Sequence, residues 1–86
     1  MDKMKQEMTL TKFFVSFLLR ASDNGVRVAN ADPQTAARYA RMKTAPPPII
    51  VDSTNKVLDG CHRIAAAILR GEDEIWAMKK STQNFD

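Results

Sequence analysis

The run Val57-Leu58-Asp59-Gly60-Cys61-His62-Arg63, followed at once by Ile64-Ala65-Ala66-Ala67-Ile68-Leu69-Arg70-Gly71, constrains this chain more than any other stretch. An apolar strand end meets a glycine. Three reactive or cationic side chains follow, and then an Ala-rich segment with strong helix preference. A strand-to-helix turn of this kind gathers unpaired backbone N–H groups, the positive end of a helix dipole, an imidazole and a guanidinium at one point. Such a point attracts an anion, most naturally a phosphate.

The chain has 86 residues, enough for one small domain with a modest core. Its 13 Lys and Arg against 10 Asp and Glu leave a net charge of +3. That mild basicity suits a phosphate-bearing ligand or nucleic acid without demanding either. The single cysteine excludes an internal disulfide and points to a reducing, cytoplasmic compartment. One Cys and one His cannot complete a four-ligand zinc site. A Ser-His-Asp triad would have only His62 to draw on, and no nucleophile elbow is present. Lys3 and Lys5 ahead of the apolar run at 13–19 faintly mimic a signal peptide. Arg20, however, stands where cleavage needs small residues, and the run is too short to span a bilayer.

Residues 1–12 read as a flexible N-terminus and 81–86 as a flexible tail, with one domain over 13–80. Leu10, Phe13, Phe14, Phe17 and Leu18 fall at helical spacing, yet the run is short and aromatic enough for a buried strand. Asp23-Asn24-Gly25 carries a hairpin-turn signal, with Val26-Arg27-Val28 alternating behind it. Asp32-Pro33 opens a helix over 34–42, with Asp32 as its cap and Arg38, Arg41 and Lys43 as its basic side. Pro46-Pro47-Pro48 ends that helix and leads into a strand at 49–51. A turn at 52–56 then makes a hairpin with a second strand at 57–58. A helix over 64–70 buries Ile64, Ala67 and Ile68 and stops at Gly71. A last strand covers 75–78. The expected fold class is α+β, a short mixed sheet with two main helices.

Within the central motif, Gly60 serves a turn and also lets a phosphate approach the backbone. Cys61 is either a small buried filler or, near a helix N-terminus and beside Arg63, an activated thiol. His62 can act as acid or base, donate to a phosphate, or serve as a structural hydrogen-bonder. Arg63 lies in the first helical turn, where the dipole disfavours a cation, so it needs an anion to meet; Asp59 is the local candidate. The run Glu72-Asp73-Glu74 reads as a solvated loop rather than a metal site.

At these residues the sequence resembles the ParB/sulfiredoxin-like superfamily over roughly 13–80. The resemblance is carried by Pro47-Pro48-Ile49-Ile50-Val51, by Leu58-Asp59-Gly60-Cys61-His62-Arg63-Ile64-Ala65-Ala66 and by the strand at 75–78. It extends to 16–20 and to Asp32-Pro33, and favours a strand over 13–20. It implies a phosphate cradle at Gly60, Cys61, His62 and Arg63 for ATP or CTP, with Mg²⁺ as an accompanying ion and NTPase activity at the site. It also matches Cys61 to the sulfiredoxin thiol. Two departures stand out. Sulfiredoxins carry a glycine where this chain has Asp59, and a lysine where it has Thr35; Arg38, one turn on, is the substitute phosphate contact. ParB partition proteins continue into a helix-turn-helix region that these residues do not include.

Four functions are therefore expected to compete. The first is nucleotide binding at 60–63, with Cys61 and His62 as catalytic candidates. The second is a DNA-binding or nuclease accessory protein of a phage or plasmid, using Arg38, Arg41, Lys43 and Arg70. The third is thiol repair of the sulfiredoxin kind through Cys61. The fourth is a pure interaction protein that keeps the fold, has lost the site and binds a protein partner; a membrane suits none of the four. The sequence leaves the oligomeric state open.

Overall fold

The structure, a computed structural model, describes residues 7–81. Four strands, β1 (Glu7–Phe14), β2 (Ile49–Val51), β3 (Val57–Asp59) and β4 (Glu74–Ser81), form one sheet in the order β1-β4-β2-β3. β4 runs antiparallel to β1 and parallel to β2, and β2 is antiparallel to β3. Four helices are described: α1 (Val15–Arg20), α2 (Asn24–Ala29), α3 (Pro33–Ala40) and α4 (Cys61–Leu69). The fold is thus α+β with a mixed sheet, and α3 and α4 are the two longer helices. No helix among the described residues is long and apolar enough to cross a membrane.

The core lies between the sheet and the helices. Leu18, Ile49, Val51, Val57, Ile64 and Ala77 are fully buried. Complete burial of a side chain the size of Leu or Ile contributes about 1.5–3 kcal/mol, so these few residues dominate the stability of so small a domain. β2 is buried at Ile49 and Val51, as the run after the three prolines predicts. The Asp52 side chain accepts from the N–H groups of Thr54 and Lys56 and ties the turn between β2 and β3.

Several expectations are corrected. Residues 10–20 are neither one helix nor one strand, and the strand that the resemblance favours over 13–20 holds only at 13–14, the end of β1, with α1 over 15–20. β1 ends at Phe14 and α1 starts at Val15, whose N–H donates to the Asp73 carbonyl at 2.8 Å. Helical spacing then buries Val15 and Leu18, while Phe17 stacks on Phe13 across the junction. Residues 7–12 form most of β1 rather than a flexible segment, because they pair with β4 out to Glu7 opposite Ser81. Residues 79–81 accordingly extend β4 beyond the expected limit at 78. The remainder of the two expected flexible ends, 1–6 and 82–86, lies outside the described residues.

The segment 23–28 is a helix, not a hairpin. A hairpin of this type needs positive φ at its two central residues, and neither Asn24 nor Gly25 adopts it. Asn24 is instead fully buried. Its amide donates to the Leu18 and Asn55 carbonyls at 2.8 and 2.9 Å and accepts from the Val57 N–H at 2.9 Å. Arg27, one turn on, donates to the Val57 carbonyl. α4 begins at Cys61, ahead of the expected start. Because it packs against α3 as well as the sheet, its buried face includes Ala66 and leaves Ile68 45% exposed.

α3 starts as the sequence predicts. The Asp32 carboxylate accepts from the Thr35 N–H at 3.2 Å and the Thr35 hydroxyl at 2.6 Å, with Pro33 in the first turn. These bonds, the hydroxyl first, hold the Asp32 carboxyl below its ordinary value of 3.8.

Two predictions follow from these contacts. Asn24→Ala takes the partner from the buried Val57 N–H and from the Asn55 carbonyl, while the Leu18 carbonyl keeps the Ala21 N–H at 3.1 Å. It should lower the urea midpoint by the equivalent of about 3 kcal/mol, with the m-value unchanged. For Asp32, a depressed folded pKa means stabilisation that is complete above the unfolded value and lost as pH falls through the folded one. Below about pH 4 the wild type should therefore lose stability more steeply than Asp32→Asn, as read by thermal melts across pH 2–6.

Candidate functional site

β3 delivers the chain to Gly60, which takes φ +128° and ψ 15° and caps α4. A side chain here is excluded twice. The φ is one that L-residues avoid, and a Cβ would lie 2.4 Å from Ile49 Cγ2 and 2.5 Å from its Cβ. The close pass over β2 throws the start of α4 across the end of the sheet. The Ile64 N–H makes the bond to the Gly60 carbonyl at 3.0 Å, so the N–H groups of Cys61, His62 and Arg63 precede it, and no side chain caps this end. It is a positive, donor-rich terminus.

The three side chains of the motif part company. Cys61 is half-buried and packs against the core cluster, the position of a small filler. Arg63 is 11% exposed at its side chain. It donates to the carbonyls of Pro47 and Pro48, each at 2.9 Å, and pairs with the Asp59 carboxylate at 2.9 Å. Its anion is therefore Asp59, and its guanidinium fastens the Gly60 turn to the entrance of β2. His62 turns towards α3, where its Nε2 accepts the Asp32 N–H at 3.1 Å. That bond places the ring proton on Nδ1.

Through His62 the starts of α3 and α4 meet. Asp32 caps α3 beside the imidazole. Thr35 Oγ1 donates to Asp32 and accepts from the Arg38 guanidinium at 3.3 Å. The chain His62–Asp32–Thr35–Arg38 brings Arg38 to the same exposed rim as the α4 terminus. Arg38 is the one phosphate candidate outside the motif that the structure brings there. Sequence reasoning missed Asp32 and Thr35 as parts of this rim. The signal was Thr35 itself, which stands where the resemblance expects a lysine and instead steers an arginine.

Of the remaining cations, Arg41 shares a shallow groove with Arg38, Gln34 and Ala37, and Lys43 is exposed beyond α3. Arg70 does not join them. It sits at the far end of α4, pairs with Glu72 at 3.1 Å and lines a separate groove of about 260 Å³ with Tyr39, Pro47 and Trp76. Glu74 pairs with Lys12 at 3.1 Å. Among the described residues no group of three or more His, Cys, Asp or Glu side chains gathers where it could hold a metal ion.

No protein-family model matches the chain, and no curated protein matches it. A solved structure does: that of a Pnob8-like ParB-N domain, at 19% identity and a TM-score of 0.65 over 92% of this chain. The chain spans 31% of that protein's chain. With the element order and the sheet described above, this likeness gives the chain a ParB-N-like fold.

Proposed function

We propose that this domain binds a nucleoside triphosphate, ATP or CTP, by its phosphates at the junction of α3 and α4. The observation that carries the reading is the uncapped start of α4, with His62 and Arg38 held on its rim by bonds to Asp32 and Thr35. The N–H groups of Cys61 and His62 and the helix dipole receive phosphate oxygens, and Gly60 lets the turn that presents them pass close over Ile49. Arg38 supplies the mobile positive charge, a planar donor fork suited to phosphate. Arg63 acts through the turn, since its donors already hold Pro47, Pro48 and Asp59.

The Asp32 carboxylate on the rim repels a bare polyphosphate. A nucleotide carrying Mg²⁺ is the better guest, because the ion arrives on the phosphates and needs at most one carboxylate from the protein. The thiol-repair reading gains nothing from Cys61, which packs inward. The DNA reading keeps Arg38 near the end of α3 and Arg41 just past it, without Arg70.

Thermal melting with ATP, CTP, GTP and ADP, with and without Mg²⁺, tests the proposal. A ligand at a hundred times its Kd stabilises by about 2.7 kcal/mol, a rise of roughly 10–20 °C for a domain of this size. Arg38→Ala should remove most of the shift while leaving the unliganded melting temperature within a few degrees, as expected for an exposed position. An absent shift with every nucleotide would sink the reading. A shift that Arg38→Ala leaves intact would place the phosphates elsewhere.

A further inference from the structure

His62 is the single histidine of the chain, and its ring joins the two helices that carry the rim. Its Nε2 accepts the Asp32 N–H at 3.1 Å, and Nδ1 holds the ring proton. This bond exists only while the imidazole is neutral. An imidazolium is a donor at both nitrogens, so on charging it must let the Asp32 N–H go. The bond is exposed, and the freed N–H passes to water at little cost.

A charged ring at this place needs an anion. It stands in the first turn of α4, where the helix dipole repels a cation. The start of α3 brings the Asp32 carboxylate beside it, with Arg38 beyond Thr35. On β3, Asp59 is paired with Arg63, while β2 carries no charge. Arg27 of α2 holds the Val57 carbonyl and pairs with Asp23 at 3.7 Å. α1 brings Arg20, and β4 brings Glu74, paired with Lys12, and the cations Lys79 and Lys80. Of these acids Asp32 alone has no cation bound. The Thr35 hydroxyl and N–H hold its carboxyl below the ordinary value of 3.8, so it stays charged wherever an imidazole titrates.

We propose that His62 is a proton-operated latch on the phosphate site. Neutral, it locks the start of α3 to the start of α4. Protonated, it releases the Asp32 N–H and turns its charge towards the Asp32 carboxylate, offsetting the group that repels a polyphosphate. The rim then gains one positive charge and one free N–H, both of which favour an anion. Anion affinity therefore rises as pH falls through the range in which the ring charges. The identity of the anion rests on the nucleotide reading above.

Two measurements on the full 86-residue chain test it. The first follows the single imidazole by nitrogen NMR, without ligand, from about pH 8 to about pH 5.5. At the upper end the ring proton should sit on Nδ1, and the Asp32 amide resonance should move in step with the ring as it charges. A proton on Nε2 there, or an Asp32 amide that ignores the ring, overturns the latch. The second titrates ATP in excess Mg²⁺ into wild type and His62→Gln over the same range. The variant's side-chain amide keeps an acceptor at similar reach and does not titrate. Wild-type affinity should rise roughly tenfold relative to the variant between the two ends of the range. Parallel profiles with measurable binding overturn the latch and leave the nucleotide reading standing. No binding by either protein at any pH overturns both.

Discussion

The fold depends on the burial of one amide. Asn24 sits in the core without solvent contact, and every bond its side chain makes reaches a separate piece of chain: the end of α1, the turn between β2 and β3, and the start of β3. A buried polar group that finds all its partners specifies a single arrangement, because any slip strands a donor or acceptor away from water. α1 and α2 have only six residues each, too short to persist alone. Their place against the sheet follows from this amide and from the Arg27 bond to the Val57 carbonyl beside it.

With β3 fixed in this way, the position of Gly60 is fixed as well. The glycine passes over Ile49 where no Cβ fits, and Arg63 closes the turn by holding the two proline carbonyls and Asp59. The start of α4 is therefore a rigid platform, while the side chains on its rim, His62 and Arg38, are held by single hydrogen bonds to exposed partners. A rigid donor-rich terminus beside an adjustable cation is the division of labour a phosphate site needs. The backbone sets the geometry, and the guanidinium follows the charge.

Much of this was legible in the sequence because it rests on local chemistry. Asp32-Pro33 could be read as a cap, the three prolines as an entry to a strand, and the segment 57–71 as strand, glycine and helix. What escaped was set by distant partners. Asn24-Gly25 has strong turn chemistry, but the hydrogen bonds waiting for Asn24 in the core outweigh it. The apolar run at 10–20 shows helical spacing because it crosses a strand–helix boundary, where two periodicities are spliced at Phe14. Arg63 was correctly read as needing an anion. Its inward fastening to Pro47 and Pro48 could not be read, since nothing local links positions fifteen and sixteen residues apart. Thr35 looked like a missing lysine until its hydroxyl was seen joining Asp32 to Arg38.

The strand order β1-β4-β2-β3 has a consequence for synthesis. β4 is the last described strand to leave the ribosome, yet it lies in the interior of the sheet, between the first strand and the second. Until it emerges, β1 has no neighbour and the β2–β3 hairpin presents a bare edge. The core residue Ala77 and the platform beneath α4 are both absent. The nascent chain therefore cannot fold progressively from its N-terminus. It must hold β1 and the hairpin apart, in wait for a strand about sixty residues downstream of the first, and then close the whole sheet in one long-range step.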